Sequence, residues 1–211
     1  MITHLSDNEN IALLFRGGDY LSYLPFGFFV LLPIFLIIYI ALRQLNNPRL
    51  KRRLFNGVML GYLVILSYLI WFRGLGDARD MLQINLEPFE TIKLYLRAYK
   101  QETLAFDIII VNLVGNVVMM FPLGFWLYVK PYGWFRKLLF IVLVPVLFEG
   151  GQYLLHQLHM VSRSVDIDDW ILNSLGIYLG LLLNMGHEQL LSKLLHQTKY
   201  KETKKSNQHS S

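Results

Sequence analysis

The chain reads as an all-α, polytopic membrane helical bundle with about five transmembrane helices and one external interfacial amphipathic helix. Three observations lead there. Of 211 residues, 54% are hydrophobic and only 17% are Asp, Glu, Lys or Arg, against roughly 25% charged in soluble domains. The apolar residues gather into windows close to the ~20 residues that cross a hydrocarbon core. Most of the cations behind the net charge of +5 sit in short clusters beside those windows, a pattern that suits a membrane surface and not nucleic acid. An ordinary cytosolic globule is thereby excluded. The absence of cysteine excludes disulfides, thiolate metal sites and a Cys nucleophile.

Residues 1–23 carry Asp7, Glu9 and Asp19 against the single cation Arg16, so they form a polar lead-in without the basic start of a cleavable signal peptide. The bundle occupies residues 24–190, with apolar stretches near Leu24–Leu42, Leu54–Phe72, Ile108–Val129, Leu138–Leu155 and Ile171–Met185. The last reaches spanning length only if Asp168, Asp169 and Trp170 join it. Between the second and third spans, Asn85-Leu86-Glu87-Pro88-Phe89 is a turn-like entry. Phe89, Ile92, Leu96 and Tyr99 then recur at steps of 3, 4 and 3, opposite Glu90, Lys93, Arg97 and Lys100. That spacing describes a short helix at the outer interface; a helix packed on the bundle is the competing reading. Thirteen Lys and Arg fall on one side of the spans and seven on the other, which places the N-terminus outside and the C-terminus in the cytoplasm. The basic tail, residues 191–211, is expected to stay disordered near anionic lipid.

Polar residues recur where lipid should exclude them. Asn112 and Asn116 are four apart on the third span, and Glu149, Gln152, Tyr153 and His156 share a face of the fourth. Arg163, Asp166, Asp169 and Asn173 lead into the fifth, with Gly176 and Gly180 continuing the stripe. The topology puts Asn112, Asn116, Glu149, Gln152, His156, Asp169 and Asn173 in the outer half. A carboxylate near the bilayer centre costs ~2.5 to 3.5 kcal/mol or more unless paired or wetted, so Glu149 needs a partner, and Arg163 is the candidate. Gly150-Gly151 would loosen that helix or admit a neighbour. Two readings stand. The stripes are polar glue between helices, or they line a water-accessible pocket open to the outer face.

The same residues carry a resemblance. Asn112-x3-Asn116-x4-Phe121-Pro122-Leu123-Gly124, then Glu149-x2-Gln152, then Arg163-Ser164-x-Asp166-x2-Asp169-x3-Asn173-x2-Gly176 resembles the VanZ-like family signature, and Asn85-Leu86-x-Pro88-Phe89 resembles the segment before it. The similar region runs from about residue 85 to 184. Glu87 stands where the entry more often has an apolar residue, and Gly150-Gly151 replaces bulkier ones. The resemblance implies a bacterial multi-pass membrane protein, associated in its namesake with lowered susceptibility to teicoplanin.

Other chemistries fit less well. Ser162 or Ser164 with His156 and an aspartate lacks a nucleophile-elbow pattern, and His156, His159 and Asp166 lack a zinc-binding motif. No metal and no cofactor is expected. Gly57-x3-Gly61 and Gly176-x3-Gly180 allow close helix approach, read here as packing within the monomer, with a homodimer as the other use. Trp71, Trp126, Trp134 and Trp170 sit near span ends as interface anchors. The expected function is binding or shielding an amphiphilic ligand at the outer leaflet, with membrane lipids, a lipoglycopeptide or a lipid-linked envelope precursor as partners. The alternative is an intramembrane acid–base enzyme in which Glu149 or Asp169 is the base and Arg163 binds an anionic group.

Overall fold

The computed structural model describes residues 24–72, 84–160 and 165–186, and among them the chain forms six helices and one pair of short strands. Helix α1 is Leu24–Arg43 and α2 is Pro48–Ser67, continued by a π-helical turn over Tyr68–Phe72. Strand β1 is Ile84–Asn85, α3 is Glu90–Lys100, α4 is Phe106–Tyr128 and α5 is Trp134–Gln157. Strand β2, Val165–Asp166, pairs in parallel with β1, and α6 covers residues 167–186. The lead-in, the tail and Arg163 lie outside the described residues.

Local chemistry sets the helix ends. Pro48 occupies the first turn of α2, where a missing N–H costs nothing. The Asn47 side chain accepts from the backbone N–H groups of Arg49 at 3.0 Å and Leu50 at 3.1 Å. Pro122 and Pro145 lie inside α4 and α5, a placement that membrane helices tolerate when neighbours compensate the freed carbonyl. The last helix starts at residue 167, earlier than its apolar run, so Asp168, Asp169 and Trp170 do join it. Carboxylates in a first turn are favoured by the helix dipole.

Among the described residues, three helical stretches are long and apolar enough to cross a membrane: Pro48–Phe72, Ile108–Tyr128 and Trp134–Gln157, of 25, 21 and 24 residues. At 1.5 Å per residue each exceeds a core of ~30 Å. Large apolar side chains cover their outer faces and that of α1, with Ile37, Leu60 and Leu147 each about two-thirds exposed. Hydrocarbon, not water, is the solvent such a surface fits.

Contacts between helices give their relative directions. Tyr39 and Phe35 of α1 pack on Phe55 and Tyr62 of α2, in antiparallel order. The Tyr62 hydroxyl donates to the Met119 carbonyl at 2.5 Å and Trp126 Nε1 to Asn56 Oδ1 at 3.3 Å, so α2 and α4 are antiparallel too. Trp71 Nε1 donates to the Phe148 carbonyl at 3.1 Å, and a Cβ on Gly151 would lie 2.5 Å from that indole nitrogen. The glycine therefore makes room for a ring, not for a neighbouring backbone.

Helices α4 and α6 are parallel and nearly in backbone contact. A Cβ on Gly176 would collide with the Val117 carbonyl, one on Gly180 with the Phe121 carbonyl, and one on Gly124 with backbone atoms of Ile177 and Leu181. Gly57 and Gly61 behave differently from the expectation: a Cβ on either would meet no atom within 4 Å, so this pair seats no described neighbour in the chain. Identical spacing in the two pairs carries no information about which face is covered.

Helix α3 packs on the bundle by a face separate from the apolar stripe expected at the interface. Tyr95 and Ala98 are buried with Leu104 and Ile109, whereas Phe89, Leu96 and Tyr99 are exposed. The helix thus has a docking face and a separate apolar rim, with Tyr99 against Phe106 at a ring separation of 5.4 Å. Glu90 pairs with Arg97 at 3.0 Å and Lys93 at 3.4 Å on its polar side.

Candidate functional site

The site is built where the start of α6 meets α3. Asp168 is 0% exposed, and its carboxylate accepts from the Phe89 N–H at 2.5 Å and the Ile92 N–H at 3.1 Å. It supplies the N-terminal cap of α3 from 79 residues away in sequence, replacing the local Ser, Thr, Asp or Asn that a helix start normally uses. Phe89 itself takes a left-handed conformation with φ of 66°, which costs about 1 kcal/mol or more in a residue with a Cβ. The two hydrogen bonds to a buried carboxylate offset that cost.

Asp166 locks the same junction. Its Oδ1 accepts from the Asp168 N–H at 2.9 Å and from Asn85 Nδ2 at 3.2 Å, and its Oδ2 accepts from the Thr91 hydroxyl at 2.5 Å. Asn85 Nδ2 also reaches Thr91 Oγ1 at 3.0 Å, and Asn85 Oδ1 accepts from the Glu87 N–H at 3.1 Å. Burial raises the Asp166 pKa above the ordinary carboxylate range, opposed by these hydrogen bonds. The turn-like Asn85–Phe89 entry and the Asp166 region are therefore one latch, closed by the β1–β2 pair.

Beneath the latch lie the other polar residues. Asn116 Nδ2 donates to Asp169 Oδ1, joining α4 to α6. Asn112 instead donates to the Ile108 carbonyl of its own helix at 2.8 Å, so it is not drawn into this pair. Glu149, Gln152 and His156 are all buried along one face of α5, whose end packs beside β2. Asn173 is 2% exposed on α6. The end of α4 lies against the start of α5, with the Trp126 and Phe140 rings 5.6 Å apart, so these two helices are antiparallel; with α4 and α6 parallel, these groups come to one end of the bundle, the α3 end.

Two residues belong to this end that the periodicity argument passed over. Tyr95 is buried, and burial together with the nearby carboxylates of Asp169 and Asp166 raises its phenol pKa far above the ordinary tyrosine value. It therefore acts only as a neutral hydroxyl. Asp168 looked like boundary polarity, although its place two residues after Asp166 was the one available signal. The long-range pairing with α3 could not be read from spacing.

The chemistry available is donors and acceptors held in low dielectric. Among the described residues, His156 Nδ1, Asn173 Oδ1 and Ser174 Oγ are buried without a hydrogen-bond partner. Buried polar atoms of this kind cost about 1–3 kcal/mol each unless something else satisfies them. Asp166 and Asp168 are committed to the latch, and the unmatched atoms of His156, Asn173 and Ser174 are the ones a ligand could satisfy.

Comparison with known proteins agrees with this architecture. No curated protein and no solved structure matches the chain. The family model described as VanZ/LLP1 matches residues 59–189, more than half of the sequence, and takes in the latch, the polar stripes and the α4–α6 glycines. The chain therefore belongs to the VanZ/LLP1 family and is a membrane protein of that type.

Proposed function

We propose that this is a bacterial cell-envelope protein whose α3-covered end binds or shields an amphiphilic ligand at the outer leaflet, with a role in resistance to glycopeptides and lipoglycopeptides such as teicoplanin. The observation that carries the reading is the set of buried, unsatisfied polar atoms at His156, Asn173 and Ser174, at the same end of the bundle as the Asn116–Asp169 pair. They offer a headgroup both donors and acceptors, and the exposed Phe89, Leu96 and Tyr99 of α3 offer an apolar tail a surface at that end. Expression of the gene in a susceptible host should raise the inhibitory concentration of lipoglycopeptides. No change across a panel of them sinks the resistance role.

Depth depends on orientation. A reporter after Ser211 should behave as cytoplasmic and one near Gly76 as external; a cytoplasmic signal at Gly76 turns the site to the other leaflet.

The apolar rim gives a separate result. Phe89→Asp with Leu96→Asp alters two exposed side chains, so insertion and folding should persist. Loss of ~2.5 kcal/mol of burial for each side chain should weaken contact of α3 with the interface and lower activity. Unchanged activity assigns α3 a purely packing role.

Glu149→Gln and Asp169→Asn test the polar group. Both are near-isosteric, and the amide oxygen that Asp169→Asn introduces can still accept from Asn116, so abundance should stay near normal while resistance falls to the level of empty vector. A fall in abundance with preserved activity per molecule identifies structural glue. A second reading rests on the neutral Tyr95 hydroxyl near Asp169, a donor beside a base. On that reading the site is an acid–base enzyme acting on a lipid-linked envelope substrate, with Glu149 or Asp169 as base and Arg163 binding an anionic group. A lipid species that forms with the wild-type gene and not with Asp169→Asn decides for it.

A further inference from the structure

The opposite end of the bundle has a different chemistry. Every described Asp and Glu lies between Glu87 and Asp107 or between Glu149 and Asp169, toward the α3 end. At the other end, where the α1–α2 and α4–α5 turns lie, the described charged residues are all cations, among them Arg49, Lys51 and Arg52 at the start of α2 and Lys130 just after α4. There α2 is fastened to the end of α4: Asn56 Oδ1 on α2 accepts from Lys130 Nζ at 3.0 Å and from Trp126 Nε1 at 3.3 Å. Lys130 Nζ also lies 4.3 Å from the centre of the Trp126 ring. Lys51 is occupied by the Arg43 carbonyl at the end of α1, at 3.3 Å. Arg52, one helical turn before Asn56 on the same helix, stays exposed on the side to which Lys130 is tied, and after burial its charge is what lowers the lysine pKa.

We propose that Arg52 and Lys130, across the α2–α4 seam, bind the phosphodiester headgroup of an anionic phospholipid. Two cations held together with no described carboxylate beside them repel each other, and an anion between them removes that repulsion. The ammonium of Lys130 has three N–H donors and Asn56 takes one. Tyr132 and Trp134 are exposed in and after the α4–α5 turn, as aromatic side chains are at headgroup depth. Exposed Leu54, two residues past Arg52, and Leu138, near the start of α5, give acyl chains an apolar wall at this end. That wall favours a lipid over a soluble phosphate, and basic pockets between spanning helices are a known form of lipid site. The site is separate from the α3 end and stands whether or not the antibiotic reading does.

Native mass spectrometry of the full chain in mild detergent tests this with an equimolar mixture of phosphatidylglycerol and phosphatidylcholine of the same acyl chains. Phosphatidylglycerol should be retained in preference. Arg52→Gln, at an exposed position that folding does not need, should weaken retention about fivefold, and Arg52→Gln with Lys130→Gln about 25-fold. Lys93→Gln with Lys100→Gln removes the same charge from the α3 end and should leave retention unchanged. Equal retention of the two lipids, or equal loss in both double variants, overturns the proposal. Displacement of phosphatidylglycerol by excess glycerol phosphate overturns the commitment to a lipid and leaves a soluble anion as the occupant.

Discussion

Asp168→Asn is expected to release α3 while the long helices stay assembled. One carboxylate holds two backbone N–H groups of α3, and an amide in its place can accept from one and turns an NH2 toward the other. Hydrogen bonds to a buried charge are worth about 1.5–3 kcal/mol each, so the docking of α3 should weaken by ~3 kcal/mol or more. The left-handed Phe89 then loses its compensation as well. Amide hydrogen exchange reads this directly. Protection across Glu90–Lys100 should fall by about two orders of magnitude, while α2, α4 and α5 exchange as before. Unaltered exchange in α3 would show that Tyr95 and Ala98 packing suffices to hold it, and that the latch is not what places the helix over the polar end.

The second large effect separates two pairs of glycines with the same spacing. Gly180→Ala puts a methyl group into the Phe121 carbonyl, and Gly124→Ala puts one into the backbone at Ile177 and Leu181. A backbone cannot move aside as a flexible side chain does, so α4 and α6 must separate. The buried Met120, Leu123, Ile177 and Leu181 then lose contact with one another. Overpacking usually costs ~1–3 kcal/mol, and backbone collisions sit at the upper end or beyond. Each variant should therefore give little monodisperse protein in detergent and a clearly lower melting temperature. Gly57→Ala and Gly61→Ala face open space, and should fold like the parent or slightly better, since alanine is the stronger helix former. Equal damage from Gly61→Ala would mean that a second copy covers that face.

Helix number, helix positions and the membrane as solvent were legible in the chain, because hydrophobic length and polar periodicity are local quantities that no partner can alter. The windows at Leu54–Phe72 and Ile108–Val129 match α2 and α4 within a turn or two. Of the polar stripe Glu149, Gln152, Tyr153 and His156, the residues at 0, 3 and 7 are buried as their spacing implied, whereas Tyr153 at 4 lies at the edge of that face and is exposed. Spacing also grouped Asn116 with Asp169, and the two are hydrogen-bonded. It could not show that Asn112, four residues earlier on the same face, bonds back to its own helix.

The uses of individual groups depended on neighbours distant in sequence. Asp168 seemed to be a span boundary and is the cap of a helix 79 residues earlier; a buried carboxylate goes where backbone donors lack partners, and those donors come from α3. Phe89, Leu96 and Tyr99 formed the conspicuous apolar stripe, yet Tyr95 and Ala98 make the docking face, because the latch at Asn85, Thr91 and Asp166 sets how far α3 is rotated. Gly176 and Gly180 are covered and Gly57 and Gly61 are not, although the motif is the same. A missing side chain permits close approach; whether a helix approaches is settled by the packing of the whole bundle, a long-range quantity that no window of the sequence contains.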